Sequence, residues 1–72
     1  MPNEAWANLL AWCKAQRESL QMQREMLRSG RFSVFEHHDS GPRDISAEHI
    51  GRINHSLTQL NAIIAEFERH HA

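Results

Sequence analysis

A regular apolar repeat in the second half of the chain is the feature that most constrains its fold. Between positions 50 and 67 the apolar residues are spaced alternately three and four apart: Ile50, Ile53, Leu57, Leu60, Ile64 and Phe67. In an α-helix with about 3.6 residues per turn, this spacing places all six side chains on one narrow stripe. Such a stripe is typical of a helix that packs against another helix. We call these six residues the seam and predict a helix over about 47–71.

A first helix is predicted over about 4–28. Asn3 is a suitable N-cap, Glu4 lies in the first turn, and Gly30 suits a left-handed C-terminal stop. The apolar residues of this helix cover a wider arc than the seam. They form the predicted receiving face and interface: Trp6, Leu9, Trp12, Cys13, Leu20, Met26 and Leu27. Gln16 and Gln23 interrupt this arc. Either they hydrogen-bond across the interface to polar residues beside the seam, namely Asn54, Ser56 and Asn61, or all these polar side chains extend to the edge of the interface and contact water.

The connector over 29–46 is longer than the usual link between neighbouring helices. Residues 31–34 alternate in the manner of a short strand, and residues 39–42 carry a turn signal. Ser46 is the predicted N-cap of the second helix, with Ile45 and Ile50 as a hydrophobic staple. Because apolar side chains are costly to leave in water, we expect part of the connector to pack on the helices.

Two helices of similar length in a chain of 72 residues predict an all-α fold, an antiparallel helical hairpin in a single domain. The arc of the first helix is wider than one helix can cover. We therefore expect two hairpins to pair about a two-fold axis as a homodimeric four-helix bundle. The alternative is that the connector itself covers the remaining apolar surface through Phe32, Val34 and Phe35.

Charge is divided unequally along the chain. Residues 1–31 carry five Lys or Arg and three Glu, whereas residues 32–72 carry three Arg and six Asp or Glu. This division favours antiparallel pairing of the halves. A basic ridge on the first helix also suggests an alternative function in nucleic-acid regulation, which the interspersed Glu18 and Glu25 and the acidic second half disfavour. The ridge comprises Lys14, Arg17, Arg24, Arg28 and Arg31.

Six histidines raise the alternative of a metal-linked site in the connector, at His37, His38 and Asp39. Glu66 with His70 would supply only two ligands. The spacings are not diagnostic, so we assign no metal ligand and interpret these histidines as surface residues.

No nucleophile motif, phosphate-binding loop or cofactor motif occurs in the sequence, so we expect no catalysis and no cofactor. One cysteine, no apolar run long enough for a membrane span and no signal-like N-terminus predict a cytoplasmic protein. The function that the pattern favours is a small non-enzymatic module for self-association or for binding another protein. A possible recognition loop lies in the connector, at Phe32, Val34, Phe35, His37 and His38.

Overall fold

The protein is described here by a computed structural model, which covers residues 4–71, with side chains described for 4–70. Helix α1 spans Glu4–Arg28 and helix α2 spans Ser46–His71. Between them lie strands β1, Phe35–His38, and β2, Gly41–Asp44. Both helices begin and end within one residue of the predicted positions. Asn3, the predicted N-cap of α1, lies outside the described residues.

The two long helices pack against each other as an antiparallel hairpin. Three side-chain pairs mark this direction: Lys14 with Glu68, Arg17 with Asn61, and Arg24 with Asn54. As the number on α1 rises, the number on α2 falls, as antiparallel packing requires. The predicted helical hairpin is therefore present, and all three of these contacts lie within one chain.

The core lies between the helices and includes only half of the seam. Ile53, Leu57 and Ile64 are buried, and the other three seam residues are half-buried. From α1, Cys13 and Leu27 are buried, and Ile45 joins them from the connector. Leu27, Ile53 and Leu57 form one cluster, against which the half-buried side chains of Leu20, Val34 and Ile50 pack.

Helix α1 ends in a Schellman motif, as Gly30 predicts. The N–H of Gly30 donates to the carbonyl of Leu27 at 3.3 Å, and the N–H of Arg31 donates to that of Met26 at 3.0 Å. Gly30 takes a φ of 79°, the left-handed region that a Cβ disfavours. The N–H of Phe32 donates to the same Met26 carbonyl at 3.2 Å, so the chain stays close to the helix end for two residues beyond Gly30.

The connector contains a two-stranded antiparallel sheet, so the all-α prediction is incomplete. The predicted strand over 31–34 is wrong, because the N–H groups of Arg31 and Phe32 are held by the Met26 carbonyl. The strands begin after that point, and Asp39 and Ser40 form the turn that the sequence predicts over 39–42. Pairing runs from His38 opposite Gly41 to Phe35 opposite Asp44, and then continues with Ile45 N–H donating to Val34 O at 2.8 Å.

The N-cap assignment of Ser46 is also wrong. The first helical hydrogen bond of α2 runs from His49 N–H to the carbonyl of Ile45. The N–H of Ser46, which has no acceptor within the helix, donates to Asp44 Oδ1 at 2.8 Å. Asp44 therefore caps the helix. The hydroxyl of Ser46 instead accepts a hydrogen bond from Val34 N–H at 2.9 Å, which ties the base of the β-hairpin to the start of α2.

Candidate interaction surface

One side of α1 carries no charge. At about 100° per residue, the seven charged side chains of α1 all fall within one half of its circumference. The other half contains Cys13, Leu20 and Leu27, which are buried or half-buried in the hairpin. Its remaining residues, which we call the charge-free face, are Ala5, Asn8, Leu9, Trp12, Ala15, Gln16, Ser19, Met22, Gln23 and Met26. Two of its polar groups satisfy each other, since Gln23 Nε2 donates to Ser19 Oγ at 3.3 Å. The face therefore combines apolar side chains with polar groups that need no charged partner.

Much of the charge-free face is in contact with water. Trp12 is 58 % exposed, Met22 is 66 % exposed and Leu9 is 46 % exposed. Ile63 extends this surface onto α2, where it is 45 % exposed. Ile63 is two residues, or about 200°, from Asn61, so it lies on the side of α2 away from the Arg17–Asn61 contact. Large apolar side chains from both helices thus share one side of the hairpin.

The opposite side of the hairpin is polar and joined across the helices. Arg17 donates to Asn61 Oδ1 at 3.2 Å, and Arg24 donates to Asn54 Oδ1 at 2.9 Å in a partly buried position. These asparagines bond across the interface, which is one of the two predicted alternatives, but their donors are arginines rather than Gln16 or Gln23. Three side chains of the predicted basic ridge therefore contact α2 of the same chain: Lys14, Arg17 and Arg24. The other two, Arg28 and Arg31, form no ion pair with the residues described.

An apolar groove lies at the open end of the hairpin, where α1 begins and α2 ends. Its volume is about 400 Å³, and it is lined by Trp6, Ile63, Glu66, Phe67 and His70. The rings of Trp6 and Phe67 meet edge to face, with centroids 4.9 Å apart. The Glu66 carboxylate at the rim bonds to His70 at 2.9 Å and to Arg69 at 3.3 Å. The groove is therefore apolar within, and the carboxylate at its rim is paired with Arg69.

The connector does not cover the charge-free face with its aromatic residues. Val34 is half-buried against the Leu27 cluster. Phe32 and Phe35 are 54 % and 52 % exposed, and Trp12 remains more than half exposed. Of the three connector residues that could have covered the remaining apolar surface, only Val34 packs against the helices.

The predicted histidine cluster is divided by the strand geometry. His37 and His38 are neighbours on β1, so their side chains project to opposite faces of the sheet. His38 Nε2 lies 3.1 Å from the Glu36 carboxylate, and His37 stands opposite Pro42. Among the residues that the structure describes, no three His, Cys, Asp or Glu side chains are grouped so that they could hold a metal ion.

The structure divides the predicted interface residues into two sets. The first set packs inside the hairpin, buried or half-buried: Cys13, Leu20, Leu27 and the six seam residues. Met26, which belongs to the charge-free face, is half-buried. The second set is exposed: Trp6, Leu9 and Trp12. Sequence reasoning missed Ile63 as a surface residue, although its seven-residue spacing from Ser56 and His70 marks a second row beside the seam.

Comparison of the chain with models of protein families, with curated proteins and with solved structures finds no significant match. Neither of the described helices is sufficiently long and apolar to cross a lipid bilayer.

Proposed function

We propose that this protein is a non-enzymatic association module that pairs with a second copy of itself through the charge-free face, forming a four-helix bundle. The single observation that carries the proposal is the exposure of Leu9, Trp12 and Met22 on a helix side without charge. Large exposed apolar side chains collected on one side of a helix are typical of interaction sites in soluble proteins.

The exposed area agrees with this proposal. The chain exposes 5622 Å², whereas a compact monomer of 8.4 kDa exposes about 4600 Å². The excess of about 1000 Å² is close to the roughly 800 Å² that each partner buries in a standard interface. The radius of gyration, 16.3 Å, likewise exceeds the roughly 11 Å of a compact domain of this length.

The architecture supplies a second argument. Two helices side by side form one layer, and stable domains normally bury their apolar faces between two packed layers. A second hairpin laid over the charge-free face would provide the missing layer. Because the same face is used by both copies, the contact is self-complementary and closes after two subunits.

The test is the solution mass of the wild-type protein and of two charge variants, measured by sedimentation equilibrium over a wide concentration range. Trp12→Glu places a carboxylate at the centre of the charge-free face. Gln21→Glu adds the same charge to an exposed position on the charged half of α1. We expect a dimer for the wild type and for Gln21→Glu, and a monomer for Trp12→Glu.

The expected effect is large. Trp12 still exposes 58 % of its surface, and an aromatic side chain buries up to about 200 Å², so pairing would remove about 115 Å² per copy from water. At about 25 cal/mol per Å² this contributes about 3 kcal/mol per chain as an upper estimate. A wild-type protein that stays monomeric at every concentration, or two variants that behave alike, would refute the proposal.

A further inference from the structure

Two exposed apolar features lie at opposite ends of the molecule. The groove bounded by Trp6, Ile63 and Phe67 is at the open end, and the exposed ring of Phe32 is at the connector end. The molecule is 56 Å long in this direction, so the two features cannot meet within one chain. They can meet only between copies.

Resting on the proposed pairing, we infer that the two copies lie antiparallel and that Phe32 of each copy enters the open-end groove of the other. The occupant of the groove is thus the connector of a second copy. One two-fold axis across the middle of the hairpin makes both contacts at once, so the assembly closes as a dimer.

The position of Phe32 supports this arrangement. Its N–H donates to the carbonyl of Met26, and Met26 belongs to the row of the charge-free face that contains Trp12. Phe32 therefore lies directly beyond the C-terminal end of α1, close to the last residue of the charge-free face. The groove, at about 400 Å³, is large enough to admit a phenyl ring, and its Trp6–Phe67 pair offers the aromatic surfaces that such a ring prefers.

Charge complementarity also favours the antiparallel direction. Beside the shared apolar side, α2 carries Arg52 toward the connector and Glu66 toward the open end. An antiparallel pair with α2 stacked on α2 brings Arg52 of one copy near Glu66 of the other. Arg52 forms no ion pair with any residue in the described part of its own chain, so it is available to the second copy.

The first test uses two phenylalanines of nearly equal exposure in the same connector. Phe32→Ala removes the proposed contact, and Phe35→Ala is the matched control at the β-hairpin. We expect the dissociation constant to rise by about tenfold or more for Phe32→Ala and by less than about twofold for Phe35→Ala. Far-UV circular dichroism checks that both variants keep the helical content of the wild type.

The second test reverses the proposed charge pair. Arg52→Glu and Glu66→Arg are each expected to weaken pairing by about three- to tenfold, and the double variant is expected to recover most of the loss. The two residues are separated by 14 positions, or about 21 Å along α2, so recovery must arise between copies. The reversal of Lys14 and Glu68, a pair on the polar side, is the matched control and should leave pairing unchanged.

The outcomes of these tests distinguish failure of the antiparallel arrangement from failure of the proposed pairing. A wild-type monomer refutes the proposed pairing. A wild-type dimer that is indifferent to Phe32→Ala, and shows no recovery in the charge-reversed double variant, overturns the antiparallel arrangement and leaves the proposed pairing intact. Mass that grows without limit also overturns it, because the contact would then be open-ended.

Discussion

Two leucines should respond differently to the same truncation, since one is inside the hairpin and the other is on the charge-free face. Leu57 is 5 % exposed and belongs to the Leu27 cluster, whereas Leu9 is 46 % exposed. Truncation of a buried leucine to alanine typically costs 2–5 kcal/mol, because the transfer free energy is lost and a cavity remains. We expect about 3 kcal/mol for Leu57→Ala and about 1 kcal/mol for Leu9→Ala in dilute solution.

The loss at Leu57 is large on the scale of this protein. A chain of 72 residues is expected to have a free energy of unfolding of about 4–11 kcal/mol. In urea, with a slope of about 1 kcal/mol per M for a protein this small, Leu57→Ala should lower the unfolding midpoint by about 3 M. Leu9→Ala should lower it by about 1 M. Far-UV circular dichroism of the helices is the readout.

Concentration separates the two effects further. In the proposed dimer a second copy covers Leu9, so at concentrations where this dimer forms the cost of Leu9→Ala should rise toward that of Leu57→Ala. The cost of Leu57→Ala should change little, because its contacts are all within one chain. Equal costs for the two variants in dilute solution would refute the division into an inner seam and an exposed face.

Two further predictions concern the ends of the helices. Hydrogen bonds from the Ser46 hydroxyl and N–H lower the pKa of Asp44 below its usual 3.8, so its capping should stabilise the fold above about pH 4 and fade as the pH falls through the lowered pKa. Asp44→Ala should therefore unfold more readily than the wild type at neutral pH and converge with it in acid, as measured by thermal unfolding against pH. Gly30→Ala should cost about 1–2 kcal/mol because of its positive φ, whereas the matched Gly51→Ala, in the interior of α2 with open space at its Cβ, should stabilise by about 1 kcal/mol; urea unfolding of both variants checks the contrast.

The helices could be predicted from the sequence because their signals are local. The three- and four-residue spacing of the seam fixes which side of α2 faces its neighbour, and Gly30 fixes where α1 ends. A heptad pattern also implies a partner helix, and two helices of similar length suit an antiparallel hairpin. These features need no knowledge of distant contacts.

The connector was harder to predict because several groups compete for the same hydrogen-bond partners. Residues 31–34 alternate like a strand, but the Met26 carbonyl takes two of their N–H groups. Ser46 and Asp44 are both good N-caps, and the choice between them depends on Val34, whose N–H requires the Ser46 hydroxyl. Neither outcome can be determined from residue type and spacing alone.

The polar contacts across the hairpin could likewise be predicted from the sequence only in part. The sequence indicates that Asn54 and Asn61 face the partner helix, but it does not indicate which side chain reaches them. Arginine extends farther than glutamine and carries several donors in a planar group, so Arg24 and Arg17 bind the two amide oxygens from the edge of α1. The glutamines are left on the charge-free face, where Gln23 turns to Ser19.

The separation of charge on α1 is itself an argument for a cover. A helix side that always faces water gains solubility from charged residues and gains nothing from Trp12 or Met22. A side that becomes buried must exclude charge, because an unpaired buried ion costs several kcal/mol, while uncharged polar groups can be satisfied in pairs. The charge-free face has the composition of a side that becomes buried: it carries no charged residue, and its Ser19 and Gln23 side chains are hydrogen-bonded to each other. The side chains of α1 are thus arranged as in a helix that is buried on two sides. Within one hairpin α2 covers one of these sides, and the charge-free face stays exposed.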